Sequence, residues 1–191
     1  MTIRTLAASL AMVAGAVAAT LYVAGMSRPA HAEPVAAKAG PIYAQLSSMT
    51  TQRPKEGAPL IVQMENNDSL SGLTHDPKTK PGEITVDTDG VYFVVAAIQV
   101  GKETGDAEDY VDVWIKQNGK DVDNSGCRQA VQDPKFTTVL VSQGIAECKK
   151  GDVLNVAISA SAPGKGLGIV ATSPKGEATI PSIILSVYKI N

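Results

Sequence analysis

Residues 67–97 read NDSLSGLTHDPKTKPGEITVDTDGVYFVVAA, and this stretch decides the fold of the chain. It predicts a short polar strand, a second short strand at residues 83–86 and a long apolar strand that begins at Val91. Between these strands, Pro81-Gly82 combines a fixed φ angle with a residue suited to a turn. Asp89-Gly90 supplies the positive φ angle that a tight connection requires. The spacing therefore predicts antiparallel β structure.

The alternating pattern continues after this stretch. Residues 110–117 alternate between an apolar face (Val111, Val113, Ile115) and a polar face (Asp112, Trp114, Lys116), as a half-buried strand does. The Asn118-Gly119 pair that follows is the strongest hairpin signal in the chain. Trp114 on the polar face is either an anchor for a partner or is covered by a neighbouring subunit, and structural burial is the usual environment of a single tryptophan.

Further β-rich runs occupy residues 136–146, 151–160 and 180–190. Residues 91–100 and the last run are apolar on both faces, which is typical of strands that are covered on both sides. The core of the domain covers one face of these strands, and packing between copies of the chain could cover the other face.

Three segments have weaker patterns. Residues 41–46 and 59–64 are short apolar runs that each begin with proline, and we expect both near a sheet edge, where proline is tolerated. Residues 161–177 are rich in glycine and proline, and we expect a flexible loop there.

Several motifs occur in an order that resembles the globular head domain of complement component C-one-q, a relative of the tumour necrosis factor jelly rolls. They are DPKT at 76–79, GEIT at 82–85, GVYF at 90–93, VWIKQNG at 113–119, and GDV at 151–153 with a terminal apolar strand. The resemblance covers roughly residues 41–191. It implies an all-β fold, a jelly-roll β-sandwich of about ten antiparallel strands, with the last strand lying centrally.

The same resemblance implies a function. Proteins of this kind trimerise through apolar strand faces and bind proteins or other surface ligands without catalysis, often with calcium nearby. No Gly-X-Y collagen stalk precedes the domain in this chain, which departs from the complement proteins. The stalk-dependent signalling of those proteins therefore does not follow from the resemblance.

The N-terminal residues 1–32 differ in composition from the rest. Arg4 precedes a long Ala/Val/Leu-rich run at 6–25, and Ala30-His31-Ala32 is a small-residue ending. This pattern predicts a secretory signal peptide cleaved before Glu33, then a linker at 33–40 and a secreted or periplasmic domain. The apolar run is also about long enough to cross a bilayer, so a retained membrane anchor is the competing interpretation.

The overall composition is that of an ordinary single domain. The chain has 191 residues, 44% of them hydrophobic, and a formal net charge of -2, which suits one domain with one core. It has neither the basic excess that favours nucleic-acid binding nor the strongly acidic composition of a disordered chain. We therefore expect no nucleic acid among its partners.

The chain contains two cysteines, Cys127 and Cys148. An even count in an oxidising compartment favours a disulfide between them. Closing a loop of that size stabilises a protein by about 3 kcal/mol in the chain-entropy model. The alternative is a pair of buried free thiols.

An acidic loop at residues 101–109 is the candidate metal site. Its carboxylates Asp106, Glu108 and Asp109 are oxygen ligands of the kind that calcium prefers, and the alternative is a solvated acidic loop. Residues 121–126 match the first half of a helix-loop-helix calcium loop, but Gln132 stands where the bidentate glutamate is required. We expect a simple turn there.

The sequence does not favour catalysis. His75 is the only histidine left once the signal peptide is removed, and it precedes Asp76-Pro77, so we expect a turn or surface histidine rather than a general base. One histidine cannot build the metal cluster of the cupins. We predict no enzymatic activity and no cofactor other than calcium.

Three functional hypotheses follow. The first is a secreted or periplasmic, non-catalytic binding module, a homotrimer whose loops contact an unknown protein or cell-surface ligand. The second is a membrane-anchored structural or accessory subunit, which requires that the N-terminal segment stays uncleaved. The third is a hydrolase or a lectin-like sugar binder that uses acidic loop residues such as Asp106 and Asp109.

Overall fold

Two antiparallel β-sheets make up the computed structural model of the protein, which describes residues 40–55 and 58–191. The strands, numbered in chain order, are β1 (Tyr43–Ser48), β2 (Leu60–Ile61), β3 (Asn66–Ser71), β4 (Leu73–Thr74), β5 (Ile84–Val86), β6 (Gly90–Gly101), β7 (Asp109–Gln117), β8 (Lys120–Asp121), β9 (Cys127–Val131), β10 (Thr138–Cys148), β11 (Val153–Ala160), β12 (Gly168–Ile169) and β13 (Ile183–Lys189). A single turn of 3-10 helix at Pro163–Lys165 is the one helical element in this part of the chain.

The first sheet has the order β10-β6-β13-β1-β3, with β12 also paired to β6. The second sheet has the order β4-β5-β11-β7-β8, with β2 paired to β11 and β9 to β7. The predicted all-β, jelly-roll β-sandwich of antiparallel strands is confirmed. The last strand, β13, lies centrally in the first sheet, as the resemblance implies.

The core lies between the two sheets and follows from the alternation in the sequence. On β7 the side chains of Val111, Val113 and Ile115 are buried, as predicted, and β11 buries Leu154, Val156 and Ile158 beside them. On the first sheet, alternate residues of β6 and β13 point inward to meet them. Each buried aliphatic side chain contributes about 1.5–3 kcal/mol.

The β7–β8 connection is the hairpin that the sequence predicts. Asn118 and Gly119 both have positive φ angles, 52° and 77°, as the two central residues of a type I′ turn require. Lys116 pairs with Asp121 and Gln117 with Lys120 across the two strands. The turn therefore reverses the chain with the twist that neighbouring strands need.

The C-terminus is bound to the beginning of β6. The Val91 amide donates to the Asn191 carbonyl (2.9 Å), and the Ile190 amide donates to the Val91 carbonyl (2.7 Å). A β-carbon added to Gly90 would lie 2.2 Å from the Asn191 carbonyl oxygen. Only glycine at residue 90 therefore allows the last residue of the chain to approach this closely.

The strand β1 lies near a sheet edge, as predicted, with the polar strand β3 pairing outside it and Tyr43 opposite Ser71. The expectation for the glycine- and proline-rich segment is wrong. The middle of the 161–177 segment is not a loose loop, because Leu167 and Ile169 are fully buried and β12 pairs with β6. Glycine and proline dominate the composition of that segment, so the sequence gives no strand pattern around Leu167 and Ile169.

The predicted disulfide is not present, because Cys127 and Cys148 are both free thiols. The Ser142 hydroxyl donates to the Ser125 carbonyl (2.6 Å), and this contact locates β10 relative to the start of β9. Cys148 lies six residues beyond Ser142, about 20 Å along an extended strand, whereas Cys127 lies only two residues from Ser125. A disulfide requires Cα atoms within about 7 Å, so the fold separates the two sulfurs.

The predicted signal peptide at 1–32 and nearly all of the predicted linker at 33–40 lie outside the described residues. In the part of the chain that is described, we find no helix with the length and hydrophobicity that crossing a bilayer requires.

Candidate functional site

The outer face of the first sheet is the candidate functional surface. It consists of the side chains that point away from the core on β1, β6, β10 and β13 and at the residue after β13. We call it the apolar face and define it by Tyr43, Val91, Phe93, Val95, Ala97, Val139, Val141, Ile145, Ile184, Tyr188 and Ile190.

Strand register arranges this face in rows. Ile145 lies opposite Phe93, Phe93 lies opposite Tyr188, and Tyr188 lies opposite Tyr43, so one row of apolar side chains crosses four strands. Side chains directly opposite each other on one face of a sheet are about 4.5–5.5 Å apart at Cβ and therefore touch. The row forms a continuous apolar ridge across the sheet.

A second apolar row lies four residues along the strands. It contains Val141, Ala97 and Ile184 in mutual register. Between the two rows, Gln143, Val95 and Ser186 occupy the intermediate positions. The face is therefore mostly apolar, with one mixed row at its centre.

Large parts of these side chains contact solvent in a single protomer. Val139 and Ile145 are each 61% exposed, Tyr188 48%, and Val141 44%. The face extends about 14 Å across four strands and about 20 Å along them, and monomeric proteins rarely expose a contiguous apolar patch above a few hundred Å². Such a surface is typical of a protein interface.

The face is almost free of charge. Among the outward-pointing residues of β6, β10 and β13, Glu147 alone carries a charge. Charged residues are depleted at the centres of protein interfaces because burying them costs desolvation energy. The composition of this face therefore matches the part of an interface that loses contact with water.

The outer face of the second sheet has the opposite character. Arg128 donates a bidentate pair of hydrogen bonds to Asp112, at 2.7 and 2.9 Å, and bonding to this carboxylate raises the pKa of the guanidinium. Asp121 accepts hydrogen bonds from Lys116 and from the Trp114 indole. These bonds lower the pKa of Asp121, and Lys116 has the stronger effect. This face is therefore polar and carries paired charges.

The candidate calcium residues do not converge. Asp109 is buried and accepts hydrogen bonds from Lys102 (3.0 Å) and Lys165 (3.1 Å). Burial raises the pKa of Asp109, but the two ammonium groups outweigh burial and leave that pKa below its usual value. A carboxylate held between two cations disfavours a third cation beside it.

The other two candidate calcium residues have different surroundings. Glu108 accepts from the Tyr110 hydroxyl and from Gln132 (2.9 Å), and these bonds lower its pKa, with Tyr110 the stronger influence. Asp106 is exposed. In residues 40–55 and 58–191, no three His, Cys, Asp or Glu side chains are placed to hold a metal together.

His75 lies in the predicted turn but is buried rather than at the surface, with 6% exposure. Its Nδ1 is 2.5 Å from the Asn67 Oδ1, and its Nε2 is 3.2 Å from the Pro81 carbonyl oxygen. Both ring nitrogens therefore have protein partners, and the imidazole connects β3 to the loop before β5.

The outward residues of β10 were missed as site residues by sequence reasoning. Residues 136–146 predict a strand, but nothing in that run shows which of its faces meets the core. The alternation of Val139, Leu140 and Val141 is apolar on both faces, so no polar residue marks the outer one. Only pairing with β6 shows that Leu140 points inward and Val139 and Val141 point outward.

A search against protein-family models and a search of curated proteins both return no match to this chain. The surfaces of the molecule therefore carry the functional inference.

Proposed function

We propose that the protein is a non-catalytic binding module of the secreted or periplasmic space, and that it acts as a homotrimer with the apolar face at its centre. The observation that carries the proposal is the exposure of that face in a single protomer, with Ile145 61% and Tyr188 48% accessible. Leaving such side chains in water costs free energy that association recovers.

The composition of the apolar face favours identical copies as its occupants. The face carries little charge, so it does not call for a partner of opposite charge. Its two margins also differ, because β10 contributes the aliphatic side chains Val139, Val141 and Ile145, whereas β13 and β1 contribute Tyr188 and Tyr43. Contact between the aliphatic margin of one copy and the aromatic margin of the next is head-to-tail, and such contacts generate a closed ring when the rotation between copies closes.

Three copies is the number that the resemblance to the complement head domain implies. A ring closed through the first sheet would cover the apolar face and turn the second sheet outward. The polar outer face of the second sheet would then be the surface available to a protein or cell-surface ligand.

The oligomeric state tests this proposal. Sedimentation and light scattering of the purified protein at micromolar concentration should give three times the protomer mass. The variant Ile145→Lys, alone or with Tyr188→Lys, should give the protomer mass with an unchanged circular dichroism spectrum, since both side chains are exposed in the protomer. Lys120→Glu, an exposed position on the second sheet, is the matched control and should remain trimeric. A wild-type protomer that stays monomeric at high concentration would contradict the proposal.

A further inference from the structure

The outer face of the second sheet contains a cavity beside the only tryptophan of the chain. The cavity has a volume of ≈ 390 Å³, and its walls include Asp112, Trp114, Asp121, Gly126 and Arg128. This volume is at the lower end of the range for small-molecule sites, about 300–1,000 Å³, so the cavity has room for one small ring.

The indole of Trp114 is held in place at this cavity. Its Nε1 donates to the Asp121 Oδ1 (2.8 Å). Its neighbour across the strands is Ala157 on β11, and Gly126 precedes the β9 residue that pairs with Val113. Both neighbours are small, and a β-carbon added to Gly126 would meet no atom within 4 Å. Space is therefore left beside a fixed, half-buried aromatic ring.

The charges around the cavity are already paired. Arg128 uses its Nε and Nη2 on Asp112, and Asp121 receives both Lys116 and Trp114 on the same oxygen, Oδ1. The second oxygen of Asp121 keeps its lone pairs, and each oxygen of Asp112 also has capacity to accept another hydrogen bond. The cavity thus offers acceptors for hydroxyl groups without an excess of either charge.

We propose that this cavity binds one pyranose ring of a neutral glycan. The C–H face of the ring would pack on the indole of Trp114, and its hydroxyl groups would donate to Asp121 and Asp112. An ionic ligand would have to displace one of the existing pairs, because two carboxylates face two cations, whereas a neutral polyol adds to the existing bonds. The inference deepens the proposed binding function and rests on it, since the trimer leaves this sheet outward.

Intrinsic fluorescence tests the site directly, because Trp114 is the sole tryptophan. The full-length protein is titrated with neutral oligosaccharides of glucose, mannose, galactose and N-acetylglucosamine. At least one of these should give a saturable change in emission, with calorimetry confirming the stoichiometry of one ring per protomer.

Two variants locate the binding. Gly126→Leu should fill the cavity, because a β-carbon there meets no atom within 4 Å, and weaken the affinity by more than about tenfold, with an unchanged melting temperature. Gly164→Leu is the matched control, because a β-carbon there also meets no atom within 4 Å, and it should bind like the wild type. Trp114→Ala, measured by calorimetry, should abolish binding.

Three results would overturn the inference: no saturable response to any of these sugars, equal affinity in Gly126→Leu, or saturation of the site by a peptide that sugars cannot displace. The mass of each sample is measured in parallel. A protein that forms trimers but binds no sugar would contradict only the glycan-binding proposal. A monomer that binds sugar would contradict only the proposed trimer.

Discussion

Phe93 on β6 lies directly opposite Tyr188 on β13, and both side chains point away from the core. The neighbouring residue Tyr92 points the other way and is fully buried, with its hydroxyl donating to the Thr88 carbonyl (2.8 Å). Two consecutive aromatic residues of one strand therefore serve different surfaces. One belongs to the core of the protomer and the other to the proposed contact between protomers.

This arrangement predicts that two adjacent substitutions affect different properties, the stability of the protomer and the association of protomers. Tyr92→Ala should lower the free energy of unfolding of the protomer by about 3–5 kcal/mol, since it removes a large buried ring. Phe93→Ala should lower the free energy of unfolding of the protomer by less, about 1–2 kcal/mol, since Phe93 is only partly buried, yet weaken association. Urea unfolding at low protein concentration and sedimentation over a concentration series separate the two effects. Equal loss of protomer stability in both variants would argue against an interface at Phe93.

The buried pair of Asp109 and Lys102 predicts a dependence of stability on pH. The pKa of Asp109 is lowered in the folded state, so the pair stabilises the protein above the unfolded pKa of about 3.9. That stabilisation is lost as the pH falls below this value and through the lower folded pKa.

Asp109→Asn should therefore destabilise the protein at pH 7 by about 3 kcal/mol, the low end of the range for a broken buried pair. The fully buried Lys102 is then left without a charged partner, whereas Lys165 stays partly in water. The variant should also lose part of the decline in stability below about pH 4. Asp106→Asn, an exposed carboxylate of the same loop, is the control and should match the wild type at every pH in thermal melts. A wild-type-like pH profile in Asp109→Asn would show that the pair does not stabilise the fold.

The different burial of the two cysteines predicts unequal thiol reactivity. Burial raises the pKa of Cys148 to about 11, with Asp152 adding to the effect, so that thiol should resist alkylation in the native protein. Cys127 is half-buried and should react first. Mass spectrometry after alkylation without a reductant should show at most one label in buffer and two in urea. Absence of any label in urea would instead demonstrate a disulfide.

Substitution of Gly119 in the β7–β8 turn should lower the free energy of unfolding through backbone strain alone. Gly119 has a φ of 77°, and a β-carbon there would meet no atom within 4 Å. Gly119→Val should therefore lower the free energy of unfolding by about 1–2 kcal/mol through left-handed strain. Gly126→Ala has equal space and no positive φ, so its effect in the same denaturation experiment should be far smaller. Equal effects in the two variants would mean that turn strain is not the cause.

Much of the second sheet could be predicted from local sequence. Strict alternation along 110–117 identified the buried residues of β7, and Asn118-Gly119 identified the turn, because a period of two and a pair of positive φ angles are properties of neighbouring residues. Strands that are apolar on both faces were harder. The sequence of β10 does not show which side of Leu140 meets the core, so the outward set of Val139, Val141 and Ile145 could not be recognised.

The amino-acid sequence by itself determined that this chain is built of short antiparallel strands, and where most of them lie. Tertiary structure alone decided which apolar side chains remain in water, that Cys127 and Cys148 lie far apart, and that Asp109 contacts two lysines instead of its acidic neighbours. The physical reason is distance along the chain. Alternation and turn chemistry act between adjacent residues, whereas pairing such as β6 with β10 or Asp109 with Lys165 joins residues tens of positions apart, and only closure of the sandwich brings them together.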